Sequence, residues 1–129
     1  MPLAAEAHAR AAAQAAIDKK AEDTVALDIS GVSLMADFFV LCSVRTQAHA
    51  RAVREEVTRV LETQGLTLKH REGSDDSGWV LMDWGDVVVH IFGETERRYY
   101  DLERLWGDAP VLDLEGTYHE AGQGVDASD

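Results

Sequence analysis

Nothing constrains the fold of this chain more than the stretch from Trp79 to Phe92, where two period-two patterns, Trp79 to Asp83 and Asp86 to Phe92, are separated only by Trp84-Gly85. Strands of that length joined through a glycine-bearing turn pair as an antiparallel hairpin. A two-residue turn at Trp84-Gly85 sets Met82 opposite Val87, Leu81 opposite Val88, Val80 opposite Val89, Trp79 opposite His90 and Asp83 opposite Asp86. One face of the ribbon is then wholly apolar (Val80, Met82, Val87, Val89, Ile91) and has to be covered by helices. The other mixes Trp79, Leu81 and Val88 with Asp83, Asp86 and His90.

The remaining sequence supplies those helices and more strands. Residues 3–22 are Ala-rich, with no internal Gly or Pro, and predict a first helix. Thr24 to Ile29 and Asp37 to Ser43 read as neighbouring strands on either side of a Ser30-Gly31 break. From Gln47 to Gln64 the period becomes helical, with Val53, Val57, Val60 and Leu61 on one stripe, Thr46 as N-cap and Gly65 as C-cap. Leu66 to His70 alternates as another strand, and a polar loop, Glu72 to Ser77, leads into the hairpin. A last helix over Glu96 to Trp106 sets Tyr99, Leu102, Leu105 and Trp106 at core spacing, one of Tyr99 and Tyr100 facing in and the other out, before Gly107 and Pro110 stop it. The order α-β-β-α-β-β-β-α predicts a single α/β domain over residues 1–110, a mixed sheet of about five strands flanked by helices. Residues 108–129 hold six acids and no Lys or Arg, so 111–129 read as a disordered acidic tail.

Charge narrows the choice of partner. Twenty-four acids against 12 bases give a net charge of -12, the wrong sign for general attraction to a phosphate backbone, so little direct RNA contact is expected. No apolar run reaches the ~20 residues of a membrane span. The start lacks a secretory signal and carries too many acids for an organellar transit peptide, which points to the cytoplasm. The single cysteine, Cys42, lies in an apolar run and reads as a small buried hydrophobe.

Chemical motifs are sparse. No phosphate-cradling glycine loop and no GxSxG elbow is present, and the five histidines lack ligand spacing, so no catalytic residue, metal site or cofactor is assigned. Asp75, Asp76, Asp83 and Asp86 are the nearest approach to a two-metal carboxylate cluster, the basis of a rival reading as a metal-dependent nucleotidyltransferase-like enzyme. His90 at a strand centre suits a structural or interface role better than a general base. Arg97 and Arg98 open the last helix, where the macrodipole disfavours cations, and so need partners or the neighbouring Glu94 and Asp101. On the mixed hairpin face, opposed Asp83 and Asp86 would cost on the order of 0.2–1 kcal/mol, which a basic partner would relieve, and tryptophan is a frequent interface anchor. The plainer reading of the same spacing is that the acids flank a turn and Trp79 covers a second layer of core. A homodimeric scaffold pairing this face with itself is a third reading, and monomer and homodimer both stay open.

Three blocks carry a resemblance: Ala36-Asp37-Phe38-Phe39-Val40-Leu41-Cys42-Ser43, the stretch Gly78 to Phe92, and Tyr100-Asp101-Leu102-Glu103-Arg104-Leu105-Trp106-Gly107-Asp108-Ala109-Pro110. With the residues between, from about Ala12 to Pro110, they resemble the ribosomal silencing factor, or Iojap-like, family. The resemblance implies a nucleotidyltransferase-like topology without that activity. It also implies docking on large-subunit ribosomal protein fourteen, which blocks joining of the small subunit and represses translation under nutrient limitation. The family's contact surface maps onto Trp79, Leu81, Asp83, Trp84 and Asp86, with Arg97 and Tyr100 of the last helix.

Overall fold

The computed structural model describes residues 2–101, 104, 107, 109–114, 118 and 119. Among the described residues three helices, α1 (Pro2–Asp18), α2 (Gln47–Thr63) and α3 (Glu94–Tyr100), accompany seven strands: β1 (Glu22–Asp28), β2 (Phe38–Val44), β3 (His70–Glu72), β4 (Trp79–Asp83), β5 (Val87–Gly93), β6 (Val111–Leu112) and β7 (Tyr118–His119). They build one mixed sheet in the order β3-β4-β5-β2-β1-β6-β7. Among the described strands β2 and β5 alone pair in parallel, and the other pairings are antiparallel. The β2-α2-β3 connection therefore does not place β3 beside β2. The β4-β5 hairpin inserts between them and leaves β3 at the edge.

Period two decides which side of the sheet each residue faces. Phe38, Val40, Cys42 and Val44 of β2 join Val80, Met82, Val87, Val89 and Ile91 of the hairpin in one buried layer against α1 and α2. Helix α1 meets it with Ala5, Ala9, Ala12, Ala13 and Ala16, side chains small enough to let the helix backbone lie close to the strands. Helix α2 contributes Ala50, Val53, Val57 and Leu61, and Thr46 caps it as expected by accepting the His49 N–H at 3.0 Å. Gln64 is the C-cap, and Gly65, one residue on, takes the positive φ of 90° that releases the chain. The opposite face carries a thinner second layer of Leu27, Ile29, Ala36, Leu41, Val88, Phe92 and Ala109, with Val25, Phe39, Trp79, Leu81 and Val111 only partly covered.

Some boundaries differ from expectation, for physical reasons. The Leu66 to His70 strand is displaced to His70–Glu72, because Leu66 and Leu68 pack on the core and of residues 66–69 only Lys69 bonds to the neighbouring strand, donating to the Asp83 carbonyl at 2.8 Å. The alternation there recorded burial rather than strand pairing. The last helix starts two residues earlier, and Asp101 closes its first described stretch in the left-handed region at φ 47°; Leu102, Leu105 and Trp106 lie outside the described residues. Beyond Pro110 the expected tail begins instead with a strand. Pro110 accepts the Asp28 N–H at 2.9 Å, and Val111 and Leu112 pair with Leu27 and Ala26, extending the sheet to seven strands. Tyr118–His119 pairs with that strand in turn, and residues 120–129 lie outside the described residues.

Cys42 is a buried hydrophobe in the α-helical layer, and burial pushes its thiol up to about 12. The folded protein is therefore expected to react with a thiol reagent such as Ellman's at least about 100-fold more slowly than the urea-unfolded chain, because the thiolate is the nucleophile. Equal rates in the two states would contradict this burial.

Candidate functional site

The hairpin is antiparallel, but its register is two residues away from the expected one. Trp79 faces Phe92, Val80 faces Ile91, Leu81 faces His90, Met82 faces Val89 and Asp83 faces Val88. Gly85 and Asp86 form the turn, closed by a 2.9 Å bond from the Trp84 N–H to the Val87 carbonyl. Gly85 sits first in the turn at φ 101°, a conformation that tryptophan would have resisted. Asp83 caps the turn by accepting the Gly85 N–H at 2.8 Å.

This register changes what several predicted site residues do. Asp83 and Asp86 do not oppose one another, so the expected repulsion is absent: Asp86 instead binds His8 Nδ1 of α1 at 3.0 Å. Its carbonyl also accepts the N–H groups of Asp37 and Phe38, tying the turn to the start of β2. Trp84 is the largest fully buried side chain among the described residues, in the helix-side layer rather than on the exposed face, because it shares the parity of Val80 and Met82. His90 is also buried, 3% exposed, and lies behind Trp79. Arg97 is buried too. It donates to the Ser43 hydroxyl at 2.9 Å and to the Asp23 carbonyl at 2.8 Å, which staples α3 to β1 and β2.

What remains accessible is an aromatic band on the sheet face away from α1 and α2. Trp79 packs at a tilt against Phe92 (centroids 5.0 Å apart, 33° between planes) and against Tyr100 of α3 (4.4 Å, 48°), and its indole N–H donates to His90 Nδ1 at 3.1 Å. Tyr99 meets Tyr100 edge-on, and both are exposed, so the expected division of this pair into one inward and one outward ring does not occur. Trp79, Leu81 and Asp83 are each partly buried along β4. The second-layer reading of Trp79 is thus correct as far as its packing goes, and the side chain still reaches the surface. Sequence reasoning missed Val32, Leu34 and Met35, exposed apolar residues of the β1-β2 loop whose flanking Ile29 and Ala36 pack into the same layer. The available signal was three large apolar residues inside a segment bounded by Ser30-Gly31 and Asp37.

The four candidate metal carboxylates do not converge. Asp75 takes a bidentate ion pair from Arg54 (2.8 and 2.9 Å), which holds its carboxyl below the usual range, while Asp83 and Asp86 are engaged at the hairpin turn. Among the described residues no group of three or more His, Cys, Asp or Glu side chains is arranged to hold a metal ion. Asp75 and Asp76 line an open cavity of about 470 Å³ with Arg45, Thr46, Glu94 and Glu96. Gly73 is required beneath this loop, since at φ 85° a Cβ there would overlap the Trp79 carbonyl. No described helix is long and apolar enough to cross a membrane.

Fold and surface together define a small α/β sheet protein whose distinguishing feature is a ring-lined sheet face. Residues 2–128 match the family model described as ribosomal silencing factor during starvation. The chain is 50% identical over 105 residues to the ribosomal silencing factor RsfS of Halalkalibacterium halodurans, covering 81% of this chain and 90% of that one. It is 48% identical over 104 residues to RsfS of Bacillus subtilis, covering 81% and 88%. A crystal structure of a Chromobacterium violaceum protein superimposes with a TM-score of 0.75 at 31% identity, over 79% of this chain and 85% of that one. The chain belongs to the ribosomal silencing factor (RsfS) family, which extends beyond the expected Ala12 to Pro110 at both ends. Its relatives bear a regulatory rather than a catalytic name.

Proposed function

We propose that this protein docks on the large ribosomal subunit in the cytoplasm, at ribosomal protein fourteen, and by occupying the joining face keeps the small subunit away, repressing translation when nutrients are scarce. The observation that carries this reading is the band formed by the Trp79 and Tyr100 rings with Leu81 beside them, bordered by Asp83, on the sheet side that α1 and α2 leave uncovered. A net charge of -12 favours a basic protein over the surrounding RNA as the direct contact. No covalent step is needed. An interface near the ~1,600 Å² of a standard complex, anchored by a few packed rings, competes with subunit joining by occupancy alone. The contact set is accordingly Trp79, Leu81, Asp83 and Tyr100 at the surface, with Trp84, His90 and Arg97 supporting it from within and Asp86 holding the turn.

Trp79→Ala and Tyr100→Ala are expected to remain folded by circular dichroism, yet to lose co-sedimentation with purified large subunits, each weakening binding at least about tenfold, the 1.4 kcal/mol or more that a packed interface ring contributes. If both variants sediment with the subunit as the parent does, the docking face lies elsewhere.

A further inference from the structure

We propose that His90 positions Trp79 for docking by accepting its indole N–H, so that the partner meets ring faces and apolar edges at this site and no indole hydrogen-bond donor. The inference rests on the docking reading above and adds a residue that never touches the partner. Its geometry is specific. Indole N–H can only donate, so at 3.1 Å His90 Nδ1 must present its lone pair, which puts the imidazole proton on Nε2. Nε2 is buried and has no hydrogen-bond partner. The imidazole is clamped edge-on against Phe39 (4.7 Å, 66°) and lies parallel to Phe92 (6.0 Å, 7°). An imidazole with one nitrogen unsatisfied is a poorer occupant of this layer than a phenylalanine of similar shape. The one thing it does that an apolar ring cannot do is anchor the indole.

The consequence runs outward along the rings. His90 fixes Trp79, Trp79 packs at a tilt against Tyr100, and Tyr100 meets Tyr99 at the surface, so the rotamer chosen at the buried end sets the shape of the exposed end. Holding a ring in its bound orientation before the encounter improves affinity without adding a contact. Burial keeps the imidazole neutral down to about pH 4, so Nδ1 stays an acceptor under all physiological conditions.

The test compares His90→Asn, whose amide oxygen can occupy the Nδ1 position, with His90→Phe, which fills the space and accepts nothing. His90→Asn is expected to keep a slowly exchanging Trp79 indole N–H in the ¹H–¹⁵N spectrum and to bind large subunits within about threefold of the parent. His90→Phe is expected to be folded, to exchange that proton rapidly and to bind about tenfold more weakly. Should His90→Phe not fold, His90→Gln, whose amide reaches toward Nε2 instead, is expected to show the same loss. Parental binding by His90→Phe, in a protein that needs Trp79, overturns the positioning role alone. Parental binding by Trp79→Ala overturns the docking reading and the positioning role with it.

Discussion

Replacing Trp84 by alanine is expected to lower the stability of the folded protein by about 3–5 kcal/mol, the largest effect of any single tryptophan substitution among the described residues. The side chain is 1% exposed and lies in the layer between the sheet and helices α1 and α2, so truncation removes its whole apolar transfer energy and leaves a cavity that the surrounding Val, Met and Leu side chains fill only in part. A domain of this size is stable by only about 5–15 kcal/mol, so the variant is left near the threshold for folding. The indole Nε1 has no partner, so its loss breaks no hydrogen bond and the cost is one of packing. Urea denaturation with parent and variant compared at the same slope measures it; a difference under about 1 kcal/mol would show that Trp84 is not a core residue. Trp79→Ala separates the two roles, because its effect falls on subunit binding far more than on the urea midpoint.

Acidification is expected to destabilise the protein by up to about 3 kcal/mol between pH 6.5 and pH 4 through His90 alone. Burial lowers this imidazole from 6.5 to about 4 in the folded state, whereas the unfolded chain titrates near the ordinary value. Between the two values the unfolded state holds one proton more than the native state, so stability rises with pH across that window. The contribution is complete above pH 6.5, falls as pH drops and levels off once the native imidazole is also protonated. Protonation in the folded state would set two donors, Nδ1–H and the indole N–H, against each other at 3.1 Å. Asp75, lowered by its Arg54 partner, acts at lower pH, where the carboxylate itself becomes protonated. Urea midpoints at pH 7 and pH 4.5 for parent and His90→Phe isolate the effect: the parent is expected to lose stability that the variant keeps. Equal losses in the two proteins would assign the acid sensitivity to other groups.

The elements that packing alone specifies were legible from residue order. Val53, Val57 and Leu61 identified α2, Thr46 its start, and the apolar run through Cys42 a strand. The band at Trp79 and Leu81 was legible as a mixed face because strand parity follows from a repeat of two. Its supporting residues were harder to read. Arg97 looked like a surface cation at an unfavourable helix end, and its reason for being there is the Ser43 hydroxyl 54 positions earlier and the Asp23 carbonyl 74 positions earlier. Strand β6 was hidden because Val111-Leu112 is too short to show a period; it exists only because β1 offers an open edge.

Residue order by itself determined the family, the succession of helices and strands as far as α3, and which side of the hairpin each residue faces, since these follow from local periodicity and specific blocks of sequence. Tertiary structure alone decided the register of the hairpin. Shifting it by two residues leaves every side chain on its own face, so the pattern cannot distinguish the alternatives; the bonds from the Asp37 and Phe38 N–H groups to the Asp86 carbonyl, and that between Asp86 and His8, hold the turn that belongs to one of them. That choice took Trp84 into the core, parted Asp83 from Asp86 and set Phe92 rather than His90 opposite Trp79, all through contacts that no repeat of two residues encodes.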